Sequence, residues 1–292
     1  MTLYNVSHKN CDDGAMSSAI VKKFRPEAVV VFSTYEHDWK KTNFQSGDSI
    51  LFTDFCPLPA DLYELHTKGV EFQVLDHHIT AQKNIDAYWE TNPKEANLIR
   101  SRMILNMDKC GSTLTWDYLA PAGSVRPRVL DFIEIADIWK WERDANSPAV
   151  TQYMRVTCRI GSWEDMLALL DNFDEAKAIE NGKILTKRLQ ADIEDIYKKS
   201  DVVELFGWKV RIVNSGHANS ISELGHKLAE NSPDGVGLIY NIMGNKLKLS
   251  TRGKAGTTVA RELAEKFGGG GHNEAAGAFL QDAKVLLNLI VK

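Results

Sequence analysis

The sequence predicts an α/β protein: an N-terminal, mostly parallel sheet with helices on both faces, then a helical connector and a smaller α/β domain. Short β-rich runs alternate with helical patterns in the first half, a long charged helical tract follows, and strand patterns return near residue 202. Alternating strands and helices are typical of βαβ units, which place parallel strands in one sheet. We expect domain boundaries at residues 1–160, 161–201 and 202–292.

Four strands are predicted in the first domain, at TLYNVSH, AVVVFST, DSILFTDF and EFQVLDHH. AVVVFST is continuously apolar, as a strand buried in a parallel sheet is. Helices are predicted at AMSSAIVKKF and at ADLYELHTKG, which ends on a glycine stop signal. Two further helical patterns follow, at GSTLTWDYLA and VRPRVLDFIEIADIWKWE.

The connector is predicted from the tract SWEDMLALLDNFDEAKAIENGKILTKRLQADIEDIYKKS, which has Glu/Lys pairs near helical spacing and no core-strand pattern. After it, strands are predicted at VVELFGWKVRIVNS, GVGLIYNIMG and KLKLSTR, the last two joined at GN. Helices are predicted at SISELGHKLAENS and TTVARELAEKF. The second helix ends at the run FGGGGHNEAAGAF, whose last residues predict another apolar strand.

The amino-acid composition and net charge indicate what kind of protein this is. With 292 residues, 43% of them hydrophobic and 25% charged, the chain is typical of a soluble globular protein. A net charge of −4 argues against a protein that coats long nucleic acid, although a small anionic substrate is compatible with it. The four cysteines are scattered without a CxxC pair, which indicates reduced thiols. Since no stretch approaches about 18 apolar residues, we expect a cytoplasmic protein with no membrane partner.

Metal-ligand residues follow three predicted strands at the point where each strand ends. They are His8, Asp12 and Asp13 after the first strand, Asp54 in the third, and Asp76, His77 and His78 at the fourth. The carboxyl ends of parallel strands meet at one edge of a sheet, where ligands bind. A mixed histidine and carboxylate shell suits Mn²⁺, and less uniquely Mg²⁺, Fe²⁺ or Zn²⁺. A bridging carboxylate in such a shell can hold two metals, the arrangement used for phosphoester hydrolysis.

Each of these residues has a structural alternative when it is taken alone. His8 could be a hydrogen-bonded turn residue, and Asp12 and Asp13 could cap the following helix. Adjacent histidines after an apolar strand, however, pack poorly. The convergence of all these groups on one edge therefore favours a metal site.

The chain resembles the DHH phosphoesterase superfamily through five motifs in order. VLDHH carries the motif that names the superfamily, SHKNCDDG is similar to the first motif, and Asp54 in LFTDF and Asp137 in IADIWKW match the second and fourth. FGGGGHNEAAG resembles the C-terminal DHH-associated domain, so the resemblance spans nearly the whole chain. The superfamily includes RecJ-type exonucleases, oligoribonucleases that degrade nanoRNA, and cyclic-dinucleotide phosphodiesterases.

The resemblance implies a role for each matching residue. Two divalent metal ions would be held by His8, Asp13, Asp54, His77 and Asp137, with Asp54 as the bridge. Asp76 would orient His77, and His78 would face the substrate phosphate as a donor or acid. A water between the metals would attack phosphorus.

The first motif departs from the common Asp-x-Asp pair of the superfamily, because Cys11 stands two positions before Asp13. Cys11, Asp12 or water would complete the shell of the first metal. A thiolate would favour a softer metal and make activity sensitive to oxidation, whereas a cysteine that only packs is the alternative. Ser112 is expected to cap the helix that begins beside it.

The second domain is expected to bind the rest of the substrate. Arg252 follows a predicted strand, and its guanidinium could fork onto a phosphate, although a solvated surface arginine is the alternative. In the superfamily, this arginine and the histidine of the glycine loop bind the far end of the substrate. The resemblance therefore implies contacts from His272 and an anion-binding concavity made by the N–H groups of Gly269, Gly270 and Gly271. Asn219 and Ser220 are expected either to cap a helix or to line a substrate cleft between the two domains.

Short single-stranded oligonucleotides are the expected substrates, since the chain has no long basic track or aromatic-rich channel. The expected reaction is metal-dependent hydrolysis to 5′-mononucleotides. Alternatives are a phosphodiesterase for cyclic dinucleotides, linear dinucleotides or nucleoside bisphosphates, and, in another class, a non-catalytic nucleotide-binding sensor. The sequence does not determine the polarity of cleavage, the metal bound in the cell, or whether the protein forms a homodimer.

Overall fold

The computed structural model describes residues 1–34, 38–217 and 220–290, which fall into two compact units, Met1–Leu185 and Thr186–Lys292. The division lies within the segment 161–201 that the sequence assigns to a connector. Asn219 lies outside the described residues. Within the described residues, the longest helices are too polar or too short to cross a lipid bilayer.

Five parallel strands form the sheet of the first unit. They are β1 (Leu3–His8), β2 (Val29–Ser33), β3 (Ser49–Thr53), β4 (Glu71–Asp76) and β5 (Met103–Leu105), in the order β2-β1-β3-β4-β5. The four predicted strands are confirmed, and β5 adds an edge that the sequence did not predict. The strand order reverses between β1 and β3, and this reversal is where open parallel sheets place a ligand crevice.

Helices cover both faces of this sheet, as predicted. The α-helices up to residue 197 are α1 (Asp12–Phe24), α2 (Pro59–Thr67), α3 (Ile79–Thr91), α4 (Pro93–Arg100), α5 (Gly111–Leu119), α6 (Arg128–Asp137), α7 (Ser147–Thr157), α8 (Trp163–Asn172) and α9 (Glu175–Tyr197). One hydrophobic core joins α1 to α6 and α7, and includes Met16, Phe132 and Met154. A second core joins the sheet to α2, α3 and α4, and includes Phe52 and Leu62. The predicted connector tract is broken into α8 and α9, because the Asp174 side chain accepts the N–H of Lys177 at 3.0 Å and so caps a new helix.

The second unit contains a mixed sheet. Its strands are β6 (Asp201–Leu205), β7 (Trp208–Asn214), β8 (Val236–Met243), β9 (Lys246–Gly253), β10 (Gly270–Gly271) and β11 (Ala275–Leu280), in the order β10-β11-β9-β8-β7-β6. Only the β7–β8 pair among them is parallel within the described residues. The helices are α10 (Ile221–Glu230), α11 (Val259–Lys266) and α12 (Lys284–Ile290). The α/β fold predicted from the sequence, with a mostly parallel first sheet and a later smaller sheet, is confirmed.

One predicted strand, VVELFGWKVRIVNS, is instead the hairpin of β6 and β7. Phe206 and Gly207 form its two-residue turn, with φ of +52° and +90°. Positive φ at both central residues matches the twist of a tight hairpin, and a glycine supplies one of the two. The apolar run continues across the turn, so the hydrophobic pattern alone does not reveal the reversal.

Candidate metal centre and substrate-binding surface

Seven side chains named by the sequence come together where β1, β3 and β4 end. We call them the Asp/His cluster: His8, Asp13, Asp54, Asp76, His77, His78 and Asp137. His8 is the last residue of β1, Asp54 follows β3, and Asp76 ends β4. The cluster therefore lies at the carboxyl edge of the sheet, at the reversal of strand order. The expected convergence of these residues is confirmed.

Asp54 lies at the centre of the cluster and faces two groups at once. Its Oδ1 is 3.2 Å from Nε2 of His77, and its Oδ2 is 3.8 Å from Nδ1 of His8. The residue is 1% exposed and has a left-handed φ of +54°, a conformation that aspartate tolerates better than most residues. The backbone N–H of Asp54 donates to the carbonyl of Leu75 at 3.0 Å, which ties the turn after β3 to β4. The turn thus aims one carboxylate at both sides of the cluster.

Asp13 is held by the N-terminus of α5. Its Oδ2 accepts the backbone N–H of Gly111 at 2.6 Å, and its Oδ1 accepts that of Ser112 at 2.9 Å. The first N–H groups of a helix have no partner within the helix, so the carboxylate of Asp13 satisfies two of them and is held in one orientation. The prediction that Ser112 caps α5 is wrong, because Cys110 occupies the cap position and Asp13 satisfies the N–H groups from another helix.

Glycine is required where α5 meets the cluster. A Cβ on Gly111 would lie 2.5 Å from Cβ of Asp54 and 2.8 Å from Oδ2 of Asp13. A Cβ on Gly14 would lie 2.3 Å from the carbonyl oxygen of His8. Sequence reasoning did not assign Gly111 a role, and the only signal for it was a glycine placed at a helix start. These two glycines let the backbone pack against the cluster.

His77 contacts carboxylates from three elements. Besides Asp54, its Nε2 is 3.3 Å from Oδ2 of Asp137 at the end of α6 and 4.0 Å from Oδ2 of Asp13. Asp13 is buried and the His77 side chain is 12% exposed, whereas that of Asp137 is 24% exposed. This set matches four of the expected ligands, and it opens to solvent on the side of Asp137.

Asp76 has a different partner from the one expected. Its Oδ1 lies 2.7 Å from Nδ1 of His78, which is the hydrogen bond of a positioned imidazole ring. The expectation that Asp76 orients His77 is therefore wrong: Asp76 is the last residue of β4, and the chain turns so that the ring two positions later folds back onto it. Asp76 thus fixes the ring that was expected to face the substrate.

Electrostatics within the cluster are dominated by carboxylates. Burial lowers the pKa of His77, but its hydrogen bond to Asp54 and the charge of Asp137 outweigh burial and raise the pKa to about 10. Burial and the charge of Asp13 raise the pKa of Asp137 to about 8 and the pKa of Asp54 to about 6. Ionised carboxylates this close together repel one another, so their pKa values rise when no cation neutralises them.

His8 and Cys11 form a second group of potential ligands with Asp54. Ligand atoms of these three residues all lie within 4.8 Å of one another. Asp12 lies apart from them, with its carboxylate 4.0 Å from Nε of Arg155. Of the groups that could complete the first metal's shell, Cys11 therefore lies with the cluster, and Asp12 is directed toward Arg155.

Divalent cations fit these residues. Oδ2 of Asp54 is buried and accepts no hydrogen bond. Buried carboxylate oxygens without a donor are costly unless a cation is coordinated. Imidazole and carboxylate donors in this mixture are typical of Mn²⁺ sites and are compatible with Mg²⁺.

The predicted substrate-binding residues of the second unit share one open depression of about 620 Å³. Arg252, Ser250 and Lys248 of β9 pair with Ala275, Gly277 and Phe279 of β11, and Gly270 of β10 pairs with Gly277. Cross-strand partners project to the same face of a sheet. We call this face the glycine platform and define it by Ser250, Arg252, Gly270, His272, Ala275 and Gly277.

Arg252 lies at one end of the glycine platform, under α10. A Cβ on Gly225 would lie 2.5 Å from Cγ of Arg252, so this helix approaches the arginine closely because it has a glycine there. Nη2 of Arg252 lies 3.2 Å from Oγ of Ser222, and Nη1 donates to the carbonyl of Thr251 at 2.9 Å. Burial, opposed by the charge of Glu223, lowers the pKa of Arg252. A partly desolvated guanidinium in a depression is a strong site for an anion.

The glycine run has two different functions. Gly269 cannot offer its N–H to an anion, because it donates to the carbonyl of Ala264 at 3.0 Å and closes the end of α11. A Cβ on Gly269 would lie 2.1 Å from the carbonyl oxygen of Gly277, and one on Gly271 would lie 2.7 Å from Cα of Ala276. A Cβ on Gly270, in contrast, would meet nothing within 4 Å. The expected anion-binding concavity of three N–H groups is therefore wrong at Gly269. Of the four glycines in the run, only Gly270 has open space at its Cβ position without a left-handed φ.

This chain is similar to several known proteins. Residues 207–291 match the model of the DHHA1 domain. The chain is 27% identical over 256 residues to oligoribonuclease NrnB of Bacillus subtilis, covering 83% of this chain and 61% of that protein. It is 25% identical over 237 residues to the uncharacterized protein R106 of Acanthamoeba polyphaga mimivirus, covering 78% of this chain and 52% of that protein. The chain thus spans about half to three-fifths of these relatives.

A solved structure has the same fold. The RecJ protein of Thermus thermophilus, crystallised with Mn²⁺, superimposes with a TM-score of 0.52 and 17% identity, covering 99% of this chain and 50% of that one. At this identity the likeness concerns the fold. The sheet with the Asp/His cluster and the unit that matches DHHA1 occur together in one chain, as the sequence motifs predict.

Proposed function

We propose that this chain is a member of the DHH phosphoesterase superfamily and a metal-dependent phosphodiesterase that hydrolyses short oligonucleotides to 5′-mononucleotides. The observation that carries the proposal is the position of Asp54, whose two oxygens face His77 at 3.2 Å and His8 at 3.8 Å. One carboxylate aimed at two sets of ligands is the arrangement of a bridged pair of cations. The relative named an oligoribonuclease supports the substrate class.

We assign two divalent cations, preferably Mn²⁺, to the Asp/His cluster. His8 and Asp54 would hold one, and Asp13, Asp54, His77 and Asp137 would hold the other, with Mg²⁺ as the alternative metal. Cations bound there would make a water molecule more acidic and neutralise charge on the phosphate. The N–H groups of Gly111 and Ser112 in α5 orient the carboxylate of Asp13 for this role.

His78 is assigned to the substrate phosphate. Its Nδ1 is bonded to Asp76, so the ring presents Nε2 as the atom that donates to a phosphate oxygen or to the leaving group. The bond also fixes the plane of the ring. Asp76 therefore supports the chemistry through His78, while His77 serves as a ligand.

The glycine platform is assigned to recognition of the rest of the substrate. Arg252 and His272 would bind a phosphate, and the bare backbone at Gly270 would let sugar or base approach closely. A depression of about 620 Å³ accommodates a nucleotide and has the size of ordinary ligand sites. This restricted grip favours short substrates over long strands. All four cysteines are free thiols, which supports placing the enzyme in the cytoplasm.

The test is a substrate panel given to the purified protein with Mn²⁺, with Mg²⁺ and with chelator. Di- to pentanucleotides should yield 5′-mononucleotides with either metal and none with chelator, while a cyclic dinucleotide and 3′-phosphoadenosine 5′-phosphate should react poorly. Asp54→Asn should abolish turnover. Absence of mononucleotide from every oligomer would contradict the proposal. Tight nucleotide binding without turnover, unchanged in Asp54→Asn, would instead indicate a sensor.

A further inference from the structure

The end of α6 places a tryptophan in an unusual conformation beside the Asp/His cluster. Asp137 is the last residue of the helix, and Trp139 follows it with a left-handed φ of +58°. The N–H of Lys140 donates to the carbonyl of Ile135 at 2.9 Å, which is the long bond of a Schellman helix ending. In this motif the left-handed position is usually glycine, because a side chain there is strained.

Two other helices of the same chain end in the same way with the expected residue. Gly69 after α2 has φ of +77°, and Gly268 after α11 has φ of +74°. The long bonds are also present, from Val70 to Leu65 and from Gly269 to Ala264, each at 3.0 Å. Trp139 is therefore a departure from the pattern that this chain itself follows.

Packing in the core does not account for the departure. The indole of Trp139 is 42% exposed, so a large part of its apolar surface stays in water. Its ring meets that of Trp141 edge to face, with centroids 5.2 Å apart and planes at 81°. This contact holds the ring in one orientation. A strained and exposed aromatic residue next to reactive groups is the kind of feature that a binding function retains.

The position of the ring is set by its neighbour. Asp137 reaches back to the cluster, where its Oδ2 lies 3.3 Å from Nε2 of His77. Trp139 is two residues further along the chain, so its Cα lies within about 7 Å of that of Asp137, the residue through which the cluster opens to solvent. A nucleotide whose phosphate lies at the cluster has its base about one sugar away, and nucleobases stack on aromatic rings with little regard to sequence.

We propose that Trp139 is the stacking surface for the nucleobase next to the phosphate that is hydrolysed, and that Trp141 holds its ring in place. The inference rests on the proposed function and assigns a binding residue to the same site. Stacking on an indole favours purines over pyrimidines, because a purine covers more of the ring. Trp139 thus contributes to substrate affinity and base preference, and not to the chemical step.

Trp139→Gly is the informative variant, because glycine suits the left-handed position and should leave the melting temperature equal or higher. KM for the dinucleotide pApA should rise about tenfold while kcat stays nearly constant, and Trp139→Phe should restore most of the affinity. Tyr118→Ala is the matched control, since Tyr118 is 47% exposed and lies at the opposite end of α5 from Gly111. An analogue of pApA without the base next to the scissile phosphate should show the same KM with wild-type protein and Trp139→Gly.

An unchanged KM for pApA in Trp139→Gly would overturn the inference, and so would a large fall in melting temperature that Trp139→Phe does not reverse. Calorimetric titration with 5′-AMP addresses the same contact without turnover. Affinity about tenfold weaker in Trp139→Gly supports it, and equal affinity, or no binding by the wild type, overturns it. A wild-type protein that binds AMP through Trp139 but hydrolyses no oligonucleotide would overturn the proposed function alone.

Discussion

Oδ2 of Asp13 accepts the backbone N–H of Gly111 at 2.6 Å, a hydrogen bond between residues 98 positions apart in the chain. Through it the start of one helix fixes a carboxylate on another, and that carboxylate lies 4.0 Å from Nε2 of His77. The orientation of a proposed metal ligand is therefore set by backbone atoms. It follows that a residue with no side chain helps to position a proposed metal ligand.

Gly111→Ala should weaken metal binding and lower stability together. The new Cβ would lie 2.5 Å from Cβ of Asp54 and 2.8 Å from Oδ2 of Asp13, so α5 or both ligands must shift. We expect Mn²⁺ affinity, measured by calorimetry, to fall at least about tenfold, as when the support of a metal ligand is removed. Gly123→Ala is the control, because Gly123 has φ of +82° but nothing within 4 Å of its Cβ position. It should lose some stability and keep its metal affinity; equal metal affinity in both variants would contradict the role of Gly111.

Asp76→Asn should lower kcat without changing metal affinity. The amide keeps the shape of the side chain but removes the charge that positions His78 at 2.7 Å. We expect kcat to fall about 100-fold, the lower end of the roughly 10²- to 10⁴-fold that a positioned acid or base contributes. His78→Gln should give a similar loss, and the double variant should lose little more, because both act through one ring. Metal affinity that falls with kcat in Asp76→Asn would show that Asp76 supports His77 after all.

Metal-free protein should lose stability as the pH rises from about 6.5 to 9. The pKa of His77 is raised to about 10 and that of Asp137 to about 8, so both groups hold protons in the folded state that the unfolded state has released. Stability therefore falls across this window, because the folded state binds more protons. His8, whose pKa is lowered to about 4, is unprotonated in the folded state, so it opposes the trend only near the lower bound of the window, where unfolded histidine still binds protons.

The measurement is the melting temperature against pH, with chelator and with saturating Mn²⁺. The slope should be negative with chelator and much smaller with metal, since a cation replaces the protons. Asp137→Asn should flatten the slope of the chelated protein. A melting temperature that rises with pH in chelator would contradict the charge balance of the cluster.

Alanine substitutions at different positions of the glycine run should affect either folding or ligand binding. Gly270→Ala should fold normally, because its Cβ would meet nothing within 4 Å, yet weaken binding of 5′-AMP if a ligand lies on the glycine platform. Gly269→Ala should lower the melting temperature, since its Cβ would lie 2.1 Å from the carbonyl oxygen of Gly277. His272→Ala should weaken nucleotide binding without affecting Mn²⁺ affinity. Unchanged AMP affinity in both Gly270→Ala and His272→Ala would remove the platform from the proposed site.

The strands and the convergence of ligands were predictable because they depend on short-range patterns. Apolar runs that end in His or Asp determine both the strand and the edge at which the side chain emerges, so His8, Asp54 and His77 could be placed together from sequence. The hairpin at Phe206 was not predictable from hydrophobicity, because its turn interrupts no apolar pattern. Helices α3 and α4 were also missed, and α4 begins at a proline.

Partner choice within the cluster was less predictable than its membership. The bond from Asp76 to His78 and not to His77 depends on how the chain turns after β4, which no spacing reveals. Capping of α5 by Asp13 is a contact between distant segments, so local cap rules pointed instead to Ser112. The role of Gly269 in closing α11 likewise depends on a backbone bond that glycine content alone does not specify.

The span from Asp13 to Gly111 also bears on synthesis of the chain. Every residue of the Asp/His cluster lies at or before Asp137, so all of the proposed ligands have left the ribosome before most of the second unit is translated. N-terminal domains generally fold first during translation. Until α5 and α6 emerge, Asp13 lacks its hydrogen-bond donors and Asp137 is missing. The nascent protein therefore acquires a complete cation site in one late step, and ions captured earlier would be held by an incomplete set of ligands.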